Sequence, residues 1–136
     1  MILVDTSVWI DFLNSARGPP GDELERLIGA NASLVLTGLV VAEVLQGLKR
    51  DVESVTALLA RWPLIEPGGF ATCEAAATIF HQPRRRGVTL STVDALLAAL
   101  ALEYNAALFT LDQDFQRLVF TGLRLHGGNR GRAEGV

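Results

Sequence analysis

Three short apolar runs limit the fold of this chain more than any other feature: Ile2-Leu3-Val4, Leu34-Val35-Leu36 and Ala107-Leu108-Phe109, the last closed by Thr110. Each is too short for a helix and lacks the alternation of a strand with one wet face. Such runs read as strands buried on both sides, the pattern of a parallel sheet covered by helices. The segments between them carry apolar residues at the three- and four-residue spacing of amphipathic helices. This alternation predicts an α/β fold with a central, mostly parallel sheet and right-handed connections.

Helices are predicted over residues 7–13, 38–48, 52–61 and 91–104, with a short one over 114–119. A further helix is expected after the chain-breaking Gly18-Pro19-Pro20-Gly21, capped by Asp22 and carrying Leu24, Leu27 and Ile28 inward. In the 38–48 helix the expected core stripe is Val41, Val44, Leu45 and Leu48. A helix over 69–82 should end or kink at Pro83, and a last strand is expected near Leu123-Arg124-Leu125. The 136 residues, 49% of them hydrophobic, suit one domain over 1–126. The Gly/Arg-rich stretch 127–136 is expected to be a flexible tail.

Asp5 cuts short the first apolar run, so no secretory leader is expected, and no stretch reaches the roughly 20 apolar residues of a membrane span. Cys73 is the only cysteine, which excludes an internal disulfide and accords with a cytoplasmic protein. Its alanine neighbours predict a small buried side chain. Trp9, Phe12 and Trp62 are expected in the core rather than as platforms for stacked bases. The net charge of −3 means that any nucleic-acid contact must come from a local basic patch or a bound cation.

In open parallel sheets, ligands bind at the carboxyl edge of the strands. Asp5 directly follows the first strand, and Asp112 lies two residues beyond Thr110. Glu43 sits early in the helix leaving the second strand, and Asp94 in the first turn of the helix that feeds the third. If the sheet is parallel, all four acids reach one rim. Each also has a plainer use. Asp5 would cap the first helix, Asp94 has capping-box spacing from Ser91, Asp112 or Asp114 would cap the short helix over 114–119, and Glu43 lies off its helix's core stripe. Convergence is what favours chemistry. Two carboxylates about 4 Å apart repel by roughly 4 kcal/mol at an effective dielectric of about 20. A cluster of them calls for a cation. All-oxygen donors select Mg²⁺ or Mn²⁺ over zinc, which is disfavoured further because His81 and His126 stand alone and Cys73 has no partner cysteine. A hard cation with bound water suits phosphodiester hydrolysis.

The residues Met1-Ile2-Leu3-Val4-Asp5-Thr6-Ser7-Val8-Trp9-Ile10, the acid within Val41-Ala42-Glu43-Val44, the stretch Thr92-Val93-Asp94-Ala95-Leu96-Leu97 and the run Leu108-Phe109-Thr110-Leu111-Asp112-Gln113-Asp114-Phe115 closely resemble PIN-domain proteins. Size and wording are similar to the VapC toxins of toxin–antitoxin pairs, over roughly residues 1 to 125. The resemblance implies a three-layer αβα domain and a Mg²⁺- or Mn²⁺-dependent endoribonuclease acting on structured RNA such as tRNA or rRNA. It also implies a homodimer neutralised by a small antitoxin. By position, Asp5, Glu43 and Asp94 match the core metal ligands, Asp112 the fourth acid and Asp114 a variable fifth. Thr6 or Ser7 matches an auxiliary hydroxyl beside the first acid. The chain departs from the family at Pro83, where an uninterrupted basic helix end is more usual.

Arg84-Arg85-Arg86 is the only dense basic run, suited to a solvated helix end and equally to phosphate, and Lys49 and Arg50 would extend such a patch. Other acid-pocket enzymes fit worse. A receiver domain wants an acid pair after its first strand and a late lysine, whereas Asp5 stands alone and Lys49 is the only lysine. A dehalogenase-type phosphatase wants an acid at position 7, which is Ser7, and no Gly-rich phosphate loop is present. The non-enzymatic alternative is an inactive PIN-like protein that binds RNA or a partner. A pure phosphate binder, however, gains nothing from clustered negative charge.

Overall fold

The computed structural model describes residues 1–84, 87 and 89–127, with positions 83, 84, 119 and 120 described by backbone alone. The expected tail beyond Gly127 therefore lies outside the described residues, as do Arg85 and Arg86. Three strands, β1 (Ile2–Val4), β2 (Leu34–Val35) and β3 (Ala107–Phe109), form a sheet in the order β2-β1-β3. Both pairings are parallel: Ile2 lies opposite Leu34 and Ala107, and Val4 opposite Phe109. Single parallel bridges widen the sheet at each side, Leu36 to Leu64 and Leu108 to Leu125. The strand expected at 123–125 is thus reduced to one bridged residue. Leu3, Val4, Leu36 and Leu108 are wholly buried, as two-sided coverage requires.

The helices are α1 (Thr6–Leu13), α2 (Pro19–Gly29), α3 (Gly38–Gln46), α4 (Val52–Leu59), α5 (Phe70–Arg84) and α6 (Thr92–Glu103), with a 3₁₀ helix over Gln113–Thr121. They fall into two packing groups, α1 to α4 on one hand and α5, α6 and the 3₁₀ helix on the other, giving the layered αβα plan. Trp9 is fully buried between Phe12 and Trp62, at ring-centroid distances of 5.8 and 5.3 Å. Its indole Nε1 is buried there with no hydrogen-bond partner.

Several local expectations are corrected. α2 begins at Pro19 rather than after Gly21, with Gly18 as N-cap and Asp22 inside the first turn. Prolines at the first helical positions have no N–H to satisfy and a φ already suited to the helix. The Asp11 carboxylate supplies the missing acceptor, taking the Gly21 N–H at 2.8 Å and the Gly18 N–H at 3.1 Å. α3 ends at Gln46, and its fully buried positions are Val40 and Val44, with Val41, Leu45 and Leu48 only half-buried. α5 carries Pro83 within its last turn and stops at Arg84. Cys73 is exposed rather than buried, because α5 turns Thr72, Ala76 and Ile79 inward and Cys73 falls one position off that stripe.

Asp11→Ala should lower the unfolding free energy by about 1–2 kcal/mol, the usual cost of a lost N-terminal cap, with Asp11→Asn recovering part of it. Urea denaturation checks this, and an unchanged midpoint for the alanine variant would exclude the capping role.

Candidate active site

The Asp5 N–H donates to the Phe109 carbonyl at 2.8 Å, continuing the β1–β3 pairing one residue beyond β1. This puts Asp5 and Thr110 side by side at the carboxyl edge. Asp5 then serves as N-cap of α1 in an extended conformation, its Oδ1 accepting the Thr6 N–H at 2.7 Å. Its Oδ2 accepts from Thr110 Oγ1 at 2.8 Å and from Ser7 Oγ at 3.3 Å. The two hydroxyls also reach the loop beyond β3. Ser7 Oγ accepts the Leu111 N–H at 3.2 Å, and Thr110 Oγ1 accepts the Asp112 N–H at 3.1 Å. The first and fourth acids thus hang from one small hydroxyl network.

Asp112 caps the next element, its Oδ1 accepting the Asp114 N–H at 2.9 Å. Glu43 projects from the exposed side of α3 and accepts a hydrogen bond from Thr6 Oγ1 at 3.3 Å. Asp94 lies in the first turn of α6, where Ser91, the N-cap, accepts the Asp94 N–H at 3.1 Å. Asp5, Asp94 and Asp112 therefore combine a capping or first-turn place with a place on the rim, so the plainer reading and the functional one coexist.

Asp5, Glu43, Asp94 and Asp112 line one pocket of about 440 Å³, with Thr6, Ser7, Ser91, Ile10, Val93 and Leu97 as its other walls. No Lys, Arg or His is among them. The electrostatic consequence appears at Asp94. Its carboxyl pKa is raised above the ordinary aspartate value, first by burial, and further by the charges of Asp112 and Asp5, against a lowering by Ser91. As the side chains stand, however, no three His, Cys, Asp or Glu among the described residues form a group that could hold a metal ion. The four acids share a pocket without forming a finished coordination sphere.

Asp114 is exposed and outside the pocket lining. Lys49 and Arg50 follow the far end of α3, away from the rim, and Arg50 stands 3.9 Å from Asp51. The Arg84 side chain, Arg85 and Arg86 lie outside the described residues. Thr110 is the residue that sequence reasoning misses: its position reads only as a strand end, and the resemblance points to Thr6 and Ser7 for the hydroxyl role. The signal that could find it is register, since the partner of Asp5 across a parallel pair is the residue closing β3. Cys73 and His81 line a separate apolar cavity between α5 and α6.

Because folded Asp94 binds its proton more tightly than unfolded Asp94, its ionised form at neutral pH opposes folding. The associated stability is full below the ordinary aspartate pKa of about 3.9 and is lost as pH rises through the raised folded value. In EDTA, Asp94→Asn should therefore melt higher than wild type at neutral pH, with the gap closing as pH falls below the ordinary carboxylate range. A gap that is absent at neutral pH, or that widens on acidification, would contradict this.

The PIN domain family matches residues 2–120. Ribonuclease VapC11 of Mycobacterium tuberculosis is 30% identical over 119 residues, covering 85% of this chain and 89% of that protein. Among solved structures, VapBC2 from Rickettsia felis, bound to a DNA fragment from its promoter, is similar with a TM-score of 0.73 at 23% identity, covering 92% of this chain and 97% of that one. VapBC-1 from nontypeable Haemophilus influenzae is similar with a TM-score of 0.71, also at 23% identity, covering 92% of this chain and 96% of that one. With the family matched over residues 2–120 and a 30% identical relative covering 85% of the chain, this protein belongs to the PIN domain family.

Proposed function

We propose that the chain is a Mg²⁺- or Mn²⁺-dependent endoribonuclease, the toxin of a type II toxin–antitoxin pair, acting in the cytoplasm on RNA such as tRNA or rRNA. One observation carries the chemistry: carboxylates from four separate elements line a single pocket. The similarity to a ribonuclease over 85% of this chain supports RNA as the substrate. The VapBC names of the structural relatives support an antitoxin as partner, and the family resemblance implies a homodimer as the working assembly.

The donor set fits a hard divalent cation, being all oxygen and carrying formal charge in excess. Asp5, Asp94 and Asp112 would hold it, with Glu43 brought nearer by rotation of its exposed side chain and Asp114 as a peripheral fifth acid. Such a cation supplies charge neutralisation and an acidified water suited to attack on phosphorus. The chain's own residues supply orientation. Thr110 and Ser7 fix Oδ2 of Asp5, the Thr6 N–H fixes Oδ1, and Thr6 Oγ1 steers Glu43. Ile10, Val93 and Leu97 line the same space with apolar surface, which strengthens the field of the acids within it. In the cation-free pocket, Asp94 binds a proton more readily than an ordinary aspartate.

Purified protein should cleave bulk tRNA with millimolar Mg²⁺ or Mn²⁺ and not with EDTA. Asp94→Asn should lower the rate by at least about a hundredfold, the scale of a lost electrostatic group at a reacting centre. Mn²⁺ should raise the melting temperature of wild type more than that of Asp94→Asn, since binding to the folded state alone is stabilising. Cleavage left unchanged by Asp94→Asn would defeat the nuclease reading and favour the inactive, partner-binding alternative.

A further inference from the structure

α1 and α3 both leave the carboxyl edge of the sheet and pack side by side, joined near the rim by the bond from Thr6 Oγ1 to Glu43. Beyond that bond they enclose a second cavity of about 220 Å³, lined by Ile10, Leu13 and Asn14 on one side and Val44, Gly47 and Leu48 on the other. Ile10 lines this groove and the acid pocket alike, so the two spaces adjoin. Helical spacing sets their order. Ile10 comes four residues after Thr6 and Asn14 four after Ile10, so successive turns of about 5.4 Å carry the groove away from the acids.

Ile10 is 51% exposed, a large apolar side chain left to water at the junction of the two spaces. Val44 is buried, and Leu13 and Leu48 are half-buried. Gly47 contributes bare backbone at a φ of −80°, a conformation open to any residue. A Cβ there would meet only the carbonyl oxygens of Glu43 and Val44, at 3.5 and 3.6 Å, which is ordinary contact. At the far end, Asn14 Oδ1 accepts the Ala16 N–H at 3.1 Å, which leaves the Nδ2 donors without a partner among the described residues. No charged side chain lines the groove, and no cationic one lines the acid pocket. Phosphate thus finds no ion-pair partner in either lining, and RNA must gain affinity there through the proposed cation and through apolar contact. The apolar faces of RNA belong to its bases, and an apolar space with one amide at its end has the composition of a base-binding site.

We infer that the groove between α1 and α3 seats the base of a nucleotide adjoining the scissile phosphate, and that Ile10 and Gly47 determine which bases fit. This inference rests on the nuclease reading, which puts the phosphate at the acids, and adds a selectivity that the acids alone do not supply. Ile10 packs against the base at the entrance, Gly47 gives it room against α3, and Asn14 offers amide donors to its edge. A base enters only when unpaired, since a duplex keeps its bases stacked inside.

The test measures kcat/KM of the full chain in Mg²⁺ on fluorescein-labelled oligouridine and oligoadenylate, and the affinity of each for the full chain carrying Asp94→Asn. One methylene more or less in an apolar pocket changes kcat/KM by about 10–200-fold. Gly47→Ala narrows the groove and should lower kcat/KM for oligoadenylate, the larger base, at least about tenfold relative to oligouridine. Ile10→Ala widens the entrance and should raise KM and weaken binding of the preferred oligonucleotide more than of the other. An unaltered rise in melting temperature with Mn²⁺ in Gly47→Ala shows that fold and acids are intact, so that the change in preference belongs to the groove. A preference left unchanged by both variants, in cleavage and in binding, would overturn the base seat and leave the groove to a protein partner, with the nuclease reading standing. If the unmodified chain cleaves no RNA, the nuclease reading is lost, while base-dependent binding that both variants alter would still uphold the seat.

Discussion

The site depends on the parallel pairing of β1 with β3. That pairing places Val4 against Phe109 and continues through the Asp5 N–H to the Phe109 carbonyl. Two residues 105 positions apart in sequence, Asp5 and Thr110, are thereby brought close enough for a 2.8 Å hydrogen bond. The same hydroxyl takes the Asp112 N–H, so a one-residue slip of β3 would break the contact with Asp5 and displace Asp112 together. Register is well specified here because both strands are buried on both faces, and a slipped pairing would bring Thr110 into that buried ladder.

Concentrating carboxylates on this rim works against the stability of the fold. The structure limits that cost in two ways. Thr6, Ser7 and Thr110 aim three donors at Asp5, satisfying its charge with hydrogen bonds. Helix starts at α1 and α6 put positive dipole ends beside Asp5 and Asp94. The penalty that remains falls on Asp94, where burial dominates and Asp112 and Asp5 add to it. A fold that tolerates this strain in isolation is well matched to a hard cation that would relieve it.

Much of this plan is legible in the sequence because it follows from topology. Short two-sided apolar runs predict parallel strands, and parallel strands send the residues after β1 and β3, and those at the start of α3 and α6, to one edge. The acids can therefore be chosen before any geometry is known. What cannot be read depends on contacts without a periodic signature. The bond from Thr110 to Asp5 comes from strand register, and the capping of α2 by Asp11 comes from a side chain on another helix. Cys73 differs from its buried neighbour Thr72 by a single helical step, too fine for composition to resolve. Convergence alone predicts acids within a few ångströms of one another, whereas they share a pocket without forming a ligand group. That difference lies in side-chain rotamers, Glu43 above all, which sequence patterning does not specify.

Anomalous diffraction from crystals of this protein soaked in Mn²⁺ tests the central claim most directly. A manganese peak is expected, bounded by carboxylate oxygens of Asp5, Asp94 and Asp112 at about 2.0–2.2 Å, the spacing of a small hard cation, with Glu43 turned toward it. A peak elsewhere, or well-ordered acids with none between them at saturating Mn²⁺, would contradict it.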